Sequence, residues 1–133
     1  MIAAVETADG VFEVELETEE IVGFDAGATL SPADVPAVAL PRLVAAAVAG
    51  STVVALLDRR PPLAVSHDAG STWREAGAGL PRGGRAIAVA ETNPDVVVYG
   101  APTRLYVSTD GGRFWRSLAV ELPEIEAVEL REA

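Results

Sequence analysis

One eight-residue pattern occurs twice in this chain. Ser66-His67-Asp68-Ala69-Gly70-Ser71-Thr72-Trp73 returns 42 positions later as Ser108-Thr109-Asp110-Gly111-Gly112-Arg113-Phe114-Trp115. A pattern repeated at a fixed distance requires two copies of one supersecondary unit, and a period of about 40–45 residues is that of a four-stranded propeller blade. The match is wider than the octapeptide. Val54 to Trp73 aligns without a gap on Val96 to Trp115, which sets Leu63-Ala64-Val65 opposite Leu105-Tyr106-Val107 and Arg74 opposite Arg116. Leu80-Pro81 and Leu122-Pro123 then close each unit, and Leu40-Pro41 marks an earlier one 40 residues before Leu80-Pro81. The 133 residues therefore read as one domain of three units, roughly 1–49, 50–91 and 92–133.

Within a unit the pattern is all strand. Thr52 to Leu57 and Val96 to Tyr99 are short β-branched runs bounded by Pro, Gly, Asp and Arg, as buried strands are. Leu63 to Ser66 and Leu105 to Ser108 form the next strand, and the octapeptide turns the chain back. A further strand follows each Leu-Pro mark: Leu43 to Val48, Ala86 to Ala90 and Ile125 to Leu130. Alanine favours helix, but Ile87 and Val89 alternate in the second of these, and Gly50 stops the first after a strand's length. Small residues suit an innermost strand, where blades crowd around an axis. The fold class is all-β, with blades of four antiparallel strands.

The first unit is degenerate. Val11 to Glu17 alternates apolar and acidic residues, so Glu13, Glu15, Glu17 and Glu19 read as the polar face of an edge strand. Thr18-Glu19-Glu20 stands where an octapeptide is expected, and Gly23 to Pro41 reads as a long loop. The strand order begins mid-blade. Met1 to Glu6 resembles a second strand, and Ile125 to Leu130 the first strand of a blade left unfinished. Propellers have at least about four blades. The expectation is a homodimer closing a six-bladed ring, each protomer donating its last strand to its partner's N-terminal blade.

The octapeptide has a structural rationale at each position. Asp68 and Asp110 can accept turn N–H groups, while Gly70 and Gly112 supply positive φ. Ser66 and Ser108 can bond across the hairpin. Trp73 and Trp115 bring apolar rings to cover the blade, with Thr72 completing the first copy.

These octapeptides resemble the Asp-box, or BNR repeat, of sialidase-like β-propellers, which is also found in sortilin-type receptors and a photosystem assembly factor. The first copy fits the pattern Ser-x-Asp-x-Gly-x-Thr-Trp throughout; the second departs at Phe114, which removes one hydroxyl bond from its turn. With its flanking strands the resemblance covers residues 42–133. It implies a peripheral turn between third and fourth strands, distant from a central pocket. Sialidase chemistry in that family resembles an arginine triad with a Tyr/Glu nucleophile pair and an Asp acid. The accompanying Arg-Ile-Pro motif is absent, Leu40-Pro41-Arg42-Leu43 being a different sequence, and Tyr99 and Tyr106 both fall within strands.

Other candidate chemistry reduces to structure. Ser66-His67-Asp68 holds the residue types of a hydrolytic triad, but consecutive strand residues point to opposite faces. His67, the single histidine, reads as a solvent-facing turn residue. Pro81-Arg82-Gly83-Gly84-Arg85 reads as a loop between blades, lacking the helix start of a phosphate site. The early glutamates lack calcium-loop spacing. Glu124, Glu126 and Glu129 are placed near a central channel, where they line it and could meet a protein or small-molecule ligand. No catalytic residue, metal site or cofactor is expected.

Charge narrows the partners. The net charge is −10, distributed as −9 over residues 1–41, +3 over 42–116 and −4 over 117–133. Nucleic-acid binding needs a basic footprint, so nucleic acid is not expected. No apolar run approaches the ~18 residues of a membrane span, and no membrane partner is expected. There is no cysteine, hence no disulfide. The opening residues lack a signal peptide's basic start and apolar core, so the cytoplasm is the expected compartment. The sequence therefore points to a non-enzymatic propeller scaffold or binding module, with a carbohydrate-binding or sialidase-like glycan-processing protein as the alternative.

Overall fold

The computed structural model describes residues 1–31 and 38–132. Twelve strands follow in order: β1 (Ile2–Thr7), β2 (Gly10–Glu15), β3 (Glu20–Ala26), β4 (Leu43–Ala49), β5 (Thr52–Leu57), β6 (Leu63–Ser66), β7 (Arg74–Ala76), β8 (Ala86–Val89), β9 (Val97–Gly100), β10 (Arg104–Ser108), β11 (Arg116–Glu121) and β12 (Ile125–Arg131). They form three antiparallel four-stranded sheets, ordered β12-β1-β2-β3, β4-β5-β6-β7 and β8-β9-β10-β11, here the first, second and third blades. The strands β4, β8 and β12 are innermost: β8 packs against both β4 and β12. The third blade is thus the middle of an arc.

Two apolar seams hold the arc. Between second and third blades, Val54, Leu56, Leu63 and Val65 pack with Ile87, Val89, Val97 and Tyr99. Between third and first, Val98, Leu105, Val107, Leu118 and Leu122 pack with Ala3, Val5, Val14 and Ile125. Every residue of β5, β6, β8 and β9 is buried, so both faces of these strands are covered and their sequences read as continuous apolar runs. Tyr99 is fully buried, and its hydroxyl donates to the Pro81 carbonyl at 2.6 Å. Burial raises its pKa, opposed by a backbone hydrogen bond from Gly84, so the phenol stays a donor.

The first blade corrects several expectations. Ile125–Arg131 pairs with Ile2–Thr7 of its own chain, Val5 opposite Val128. Within this chain the last strand occupies the first-strand place of the N-terminal blade. Blades and repeat units are consequently offset by one strand. Part of the stretch read as a long loop is strand β3, and β2 is a central strand between β1 and β3 rather than an edge. Gly23 misled the reading. Its lack of a side chain serves a close approach, since a Cβ there would stand 2.7 Å from the Glu13 carboxylate oxygen. Residues 32–37 of that stretch, including Pro32 and Pro36, lie outside the described residues. Glu17 and Glu19 leave the strand altogether and sit in the turn after β2.

The first blade's two faces differ in kind. Ala3, Val5, Phe12, Val14 and Val128 face the third blade. Glu13 and Glu129 flank Ala4, and Asp25 pairs through Val11 with Glu6, on the opposite face. On the second blade, Ala55, Leu57 and Ala64 form the outward face, and Val38, Leu40 and Trp73 pack on them.

Candidate functional site

The octapeptide turns are the densest polar constructions in the molecule. In the first, Ser66 Oγ donates to Asp68 Oδ1 at 2.7 Å and accepts the Gly70 N–H at 2.8 Å. Asp68 Oδ1 accepts the Thr72 N–H at 2.8 Å, and its Oδ2 accepts the Thr72 hydroxyl at 2.5 Å. In the second, Ser108 Oγ donates to Asp110 Oδ1 at 2.7 Å and accepts the Gly112 N–H at 2.9 Å. Asp110 Oδ1 then accepts the N–H groups of Arg113 at 3.1 Å and Phe114 at 3.0 Å. The serines therefore close their own turns rather than bonding across the hairpin.

Phe114 changes the chemistry of the second turn. It supplies no hydroxyl, and its ring is 78% exposed. Both aspartates titrate low because their charged forms accept these bonds. For Asp68 the Thr72 hydroxyl leads, followed by the Thr72 N–H and Ser66, and its pKa falls to about 2. For Asp110 the Phe114 N–H leads, then Ser108, and its pKa is also lowered.

Backbone geometry explains the glycines. Gly70 and Gly112 lie at φ of 91° and 93°, and the residue before each is also left-handed: Ala69 at 58°, Gly111 at 76°. Glycine occupies the left-handed region without the Cβ clash that alanine meets. Trp115 Nε1 donates to the Gly112 carbonyl at 3.0 Å, and its ring meets Tyr99 edge-on at 6.4 Å. Trp73 instead covers the outward face of the second blade.

The residue after each tryptophan ties one blade to the next. Arg74 Nη2 donates to the Gly111 carbonyl of the third blade's turn at 2.6 Å. Arg116 Nη2 donates to the Leu16 carbonyl of the first blade's turn at 2.8 Å, and its Nη1 meets Glu19 Oε2 at 3.2 Å. Glu19 Oε1 also accepts the Ala119 N–H at 2.8 Å. Sequence reasoning aligned the two arginines and overlooked this role. Their shared position after Trp was the signal that could have found it.

The remaining candidates are dispersed. His67 is exposed, and its Nδ1 lies 3.2 Å from Thr52 Oγ1, on the opposite side of the strand from the Ser66–Asp68 bond. The three residues of the triad-like run do not converge. Glu124, Glu126 and Glu129 are exposed on β12 and its approach, and Glu129 pairs with Arg131 at 3.7 Å. Pro81 to Arg85 joins β7 to β8, where Gly84 lies against Tyr99. Among the described residues, two shallow depressions can be named. One, of about 210 Å³, lies among Ala90, Thr92, Leu130 and Glu132, where the Thr92 hydroxyl bonds Glu132. The other, of about 220 Å³, lies beside Asp110, Phe114, Trp115 and Arg116. Among the described residues, no three His, Asp or Glu gather as a metal site, and no helix is long and apolar enough to cross a membrane.

No known family's profile matches the chain, and no curated protein matches its sequence. Among solved structures it is similar to the GH74 enzyme of Niastella koreensis, with a TM-score of 0.51 and 21% identity over 91% of this chain. The match takes in only 18% of that enzyme's length. At this identity the likeness speaks for the fold alone. It agrees with the three four-stranded antiparallel sheets in making the architecture that of β-propeller blades.

Proposed function

We propose that the protein is a non-enzymatic β-propeller module, a scaffold that holds a binding surface rather than a reaction centre. The observation that carries this reading is where its most strongly perturbed carboxylates are committed. The pKa values of Asp68 and Asp110 are both displaced, in each case by the turn's own hydroxyl and N–H groups. A functional acid or base is tuned toward its working pH; these are tuned away from it. The turns lie between the third and fourth strands of their blades, away from the innermost strands. A protein or small-molecule ligand would meet the innermost strands instead, where Glu124, Glu126 and Glu129 are exposed.

The alternative is a carbohydrate-binding or glycan-processing protein. The likeness to a GH74 glycoside hydrolase favours it, although a fold hosts many functions. The two readings separate in one experiment, a glycan array probed alongside fluorogenic glycosides, a sialoside included. The scaffold reading expects neither retention nor turnover. Hydrolysis above the blank rate that disappears on Glu126→Gln or Glu129→Gln would overturn it in favour of glycan processing. Saturable retention on the array without turnover would replace it with a lectin-like function.

A further inference from the structure

We infer that the open ends of the arc are closed by a second copy of the chain, the first blade of each protomer docking on the second blade of the other. The inference begins with an internal comparison among the innermost strands. β8 has a blade on either side and is buried at every residue. β4 and β12 each pack on β8, and among the described residues they share no comparable contact with each other. On β4, Leu43, Val44 and Val48 remain 36%, 49% and 43% exposed. Leu43, Ala46 and Val48 pair with Leu57, Ala55 and Val53, which places them on the face turned away from the third blade. Val38 and Leu40 cover part of this face, over Ala55, Leu57 and Ala64, and leave the β4 side chains open. The missing neighbour is therefore of the kind that β8 already has, a blade.

Charge says which blade. The two arginine clasps set the turns after β2, β6 and β10 at one end of the arc, so β4, β8 and β12 all begin at the other end. At that end the second blade carries Arg42, Arg59 and Arg60, all exposed, against two acids: Asp58, whose N–H bonds the Arg42 carbonyl, and Glu75, which pairs with Arg59 at 3.4 Å. The first blade carries Asp9, Glu124 and Glu126 at the same end, with Glu6 and Asp25 beside them. Packing first blade on second about an axis along the ring brings the basic and acidic ends to the same height. Packing second on second would need a two-fold axis across the ring, which sets the two basic ends at opposite heights and leaves each without the acidic end as its neighbour. Two arcs of three blades make a six-bladed ring, inside the range of about 4–8 blades at which propellers close, and the two-fold axis satisfies both open ends at once. No strand is exchanged, since each β12 is already paired at home.

Charge exchange tests this with the full chain. Arg59→Glu/Arg60→Glu makes the second blade's end acidic, and Glu124→Arg/Glu126→Arg makes the first blade's end basic. All four side chains are exposed, so each variant should keep the wild-type circular dichroism spectrum. In sedimentation at micromolar concentration the wild type should have twice the 13.8 kDa of one chain. Each double variant alone should fall to monomer, because both of its interfaces oppose like charges. Mixing the two variants should restore the dimer, because each mixed interface again pairs acid with base. Val48→Glu should also give a folded monomer. A wild-type monomer, dimers that persist in both charge variants, or a mixture that stays monomeric would overturn the inference.

Discussion

The guanidinium of Arg74 donates to the carbonyl of Gly111 at 2.6 Å, so that one blade's fourth strand holds the turn of the blade beside it. Arg116 repeats the contact on Leu16 at 2.8 Å, even though the first blade's turn has lost its octapeptide. Gly111 is buried, and a carbonyl deprived of its donor there is stranded. Arg74→Ala should cost roughly 1–2 kcal/mol, the worth of a hydrogen bond from a charged donor after exposure is allowed for. Chemical denaturation checks it, with a lowered midpoint and an unchanged slope as the expected result. Arg74→Met, which keeps the packing stem, should lose nearly as much.

The first octapeptide gives an ordering and a pH dependence. Asp68 accepts three bonds from Thr72 and Ser66, whereas His67 meets only Thr52. Asp68→Ala should therefore lower Tm more than His67→Ala at neutral pH. The pKa of Asp68 is depressed from the ordinary 3.8 to about 2 on folding. Its stabilisation is fully present above the unfolded value and is lost as pH falls through about 2. Between pH 4 and pH 2 the fall in Tm should be shallower in Asp68→Asn than in wild type. Parallel acid limbs would contradict this.

Ala69 and Gly111 hold the same left-handed place in the two turns, and only one of them is glycine. Ala69→Gly should relieve a clash worth roughly 1 kcal/mol, partly offset by the greater freedom of glycine in the unfolded chain. Gly111→Ala should do the reverse, adding crowding 3.4 Å from Arg74 Nη2. Opposite shifts in Tm are expected, the loss at Gly111 being the larger.

Gly84 is a packing glycine with an ordinary φ. A Cβ there would stand 2.5 Å from the Tyr99 hydroxyl, inside a site with no room to yield. Gly84→Ala should cost about 1–3 kcal/mol, as overpacked cores do. Tyr99→Phe should cost about 1 kcal/mol through the lost bond to Pro81. Melting curves of the two variants test the pair.

What was legible in the sequence follows from what repeats. The strands of the second and third blades were readable because apolar runs, the octapeptides and the Leu-Pro marks recur in register. Strand β3 was hidden for a physical reason: Glu20 to Ala26 is exposed along most of its length, so no burial pattern disciplines its residues, and Gly23 mimics a turn. The turn residues were visible as types, but their bonding was not. Whether a serine reaches across a hairpin or back into its own turn depends on φ at the third and fourth positions after it, the first of which Ala69 concealed. The inter-blade arginines were aligned by their shared place after Trp, yet what they bond was hidden for a different reason. The partner that Arg74 and Arg116 have in common is a main-chain carbonyl, which leaves no trace in composition.

The pairing of β12 with β1 also orders events in time. The second and third blades are each continuous in the chain and can form from neighbouring segments as soon as these are made. The first blade cannot. Strands β1 to β3 are synthesised early, yet one flank of β1 keeps its amide and carbonyl groups unpaired until Ile125–Arg131 has been made. Throughout that interval Ile2 to Thr7 is a free β-edge, the kind of edge on which nascent chains aggregate. Its completion is the longest closure among the described strands, so the fold becomes safe only once Ile125–Arg131 has reached β1.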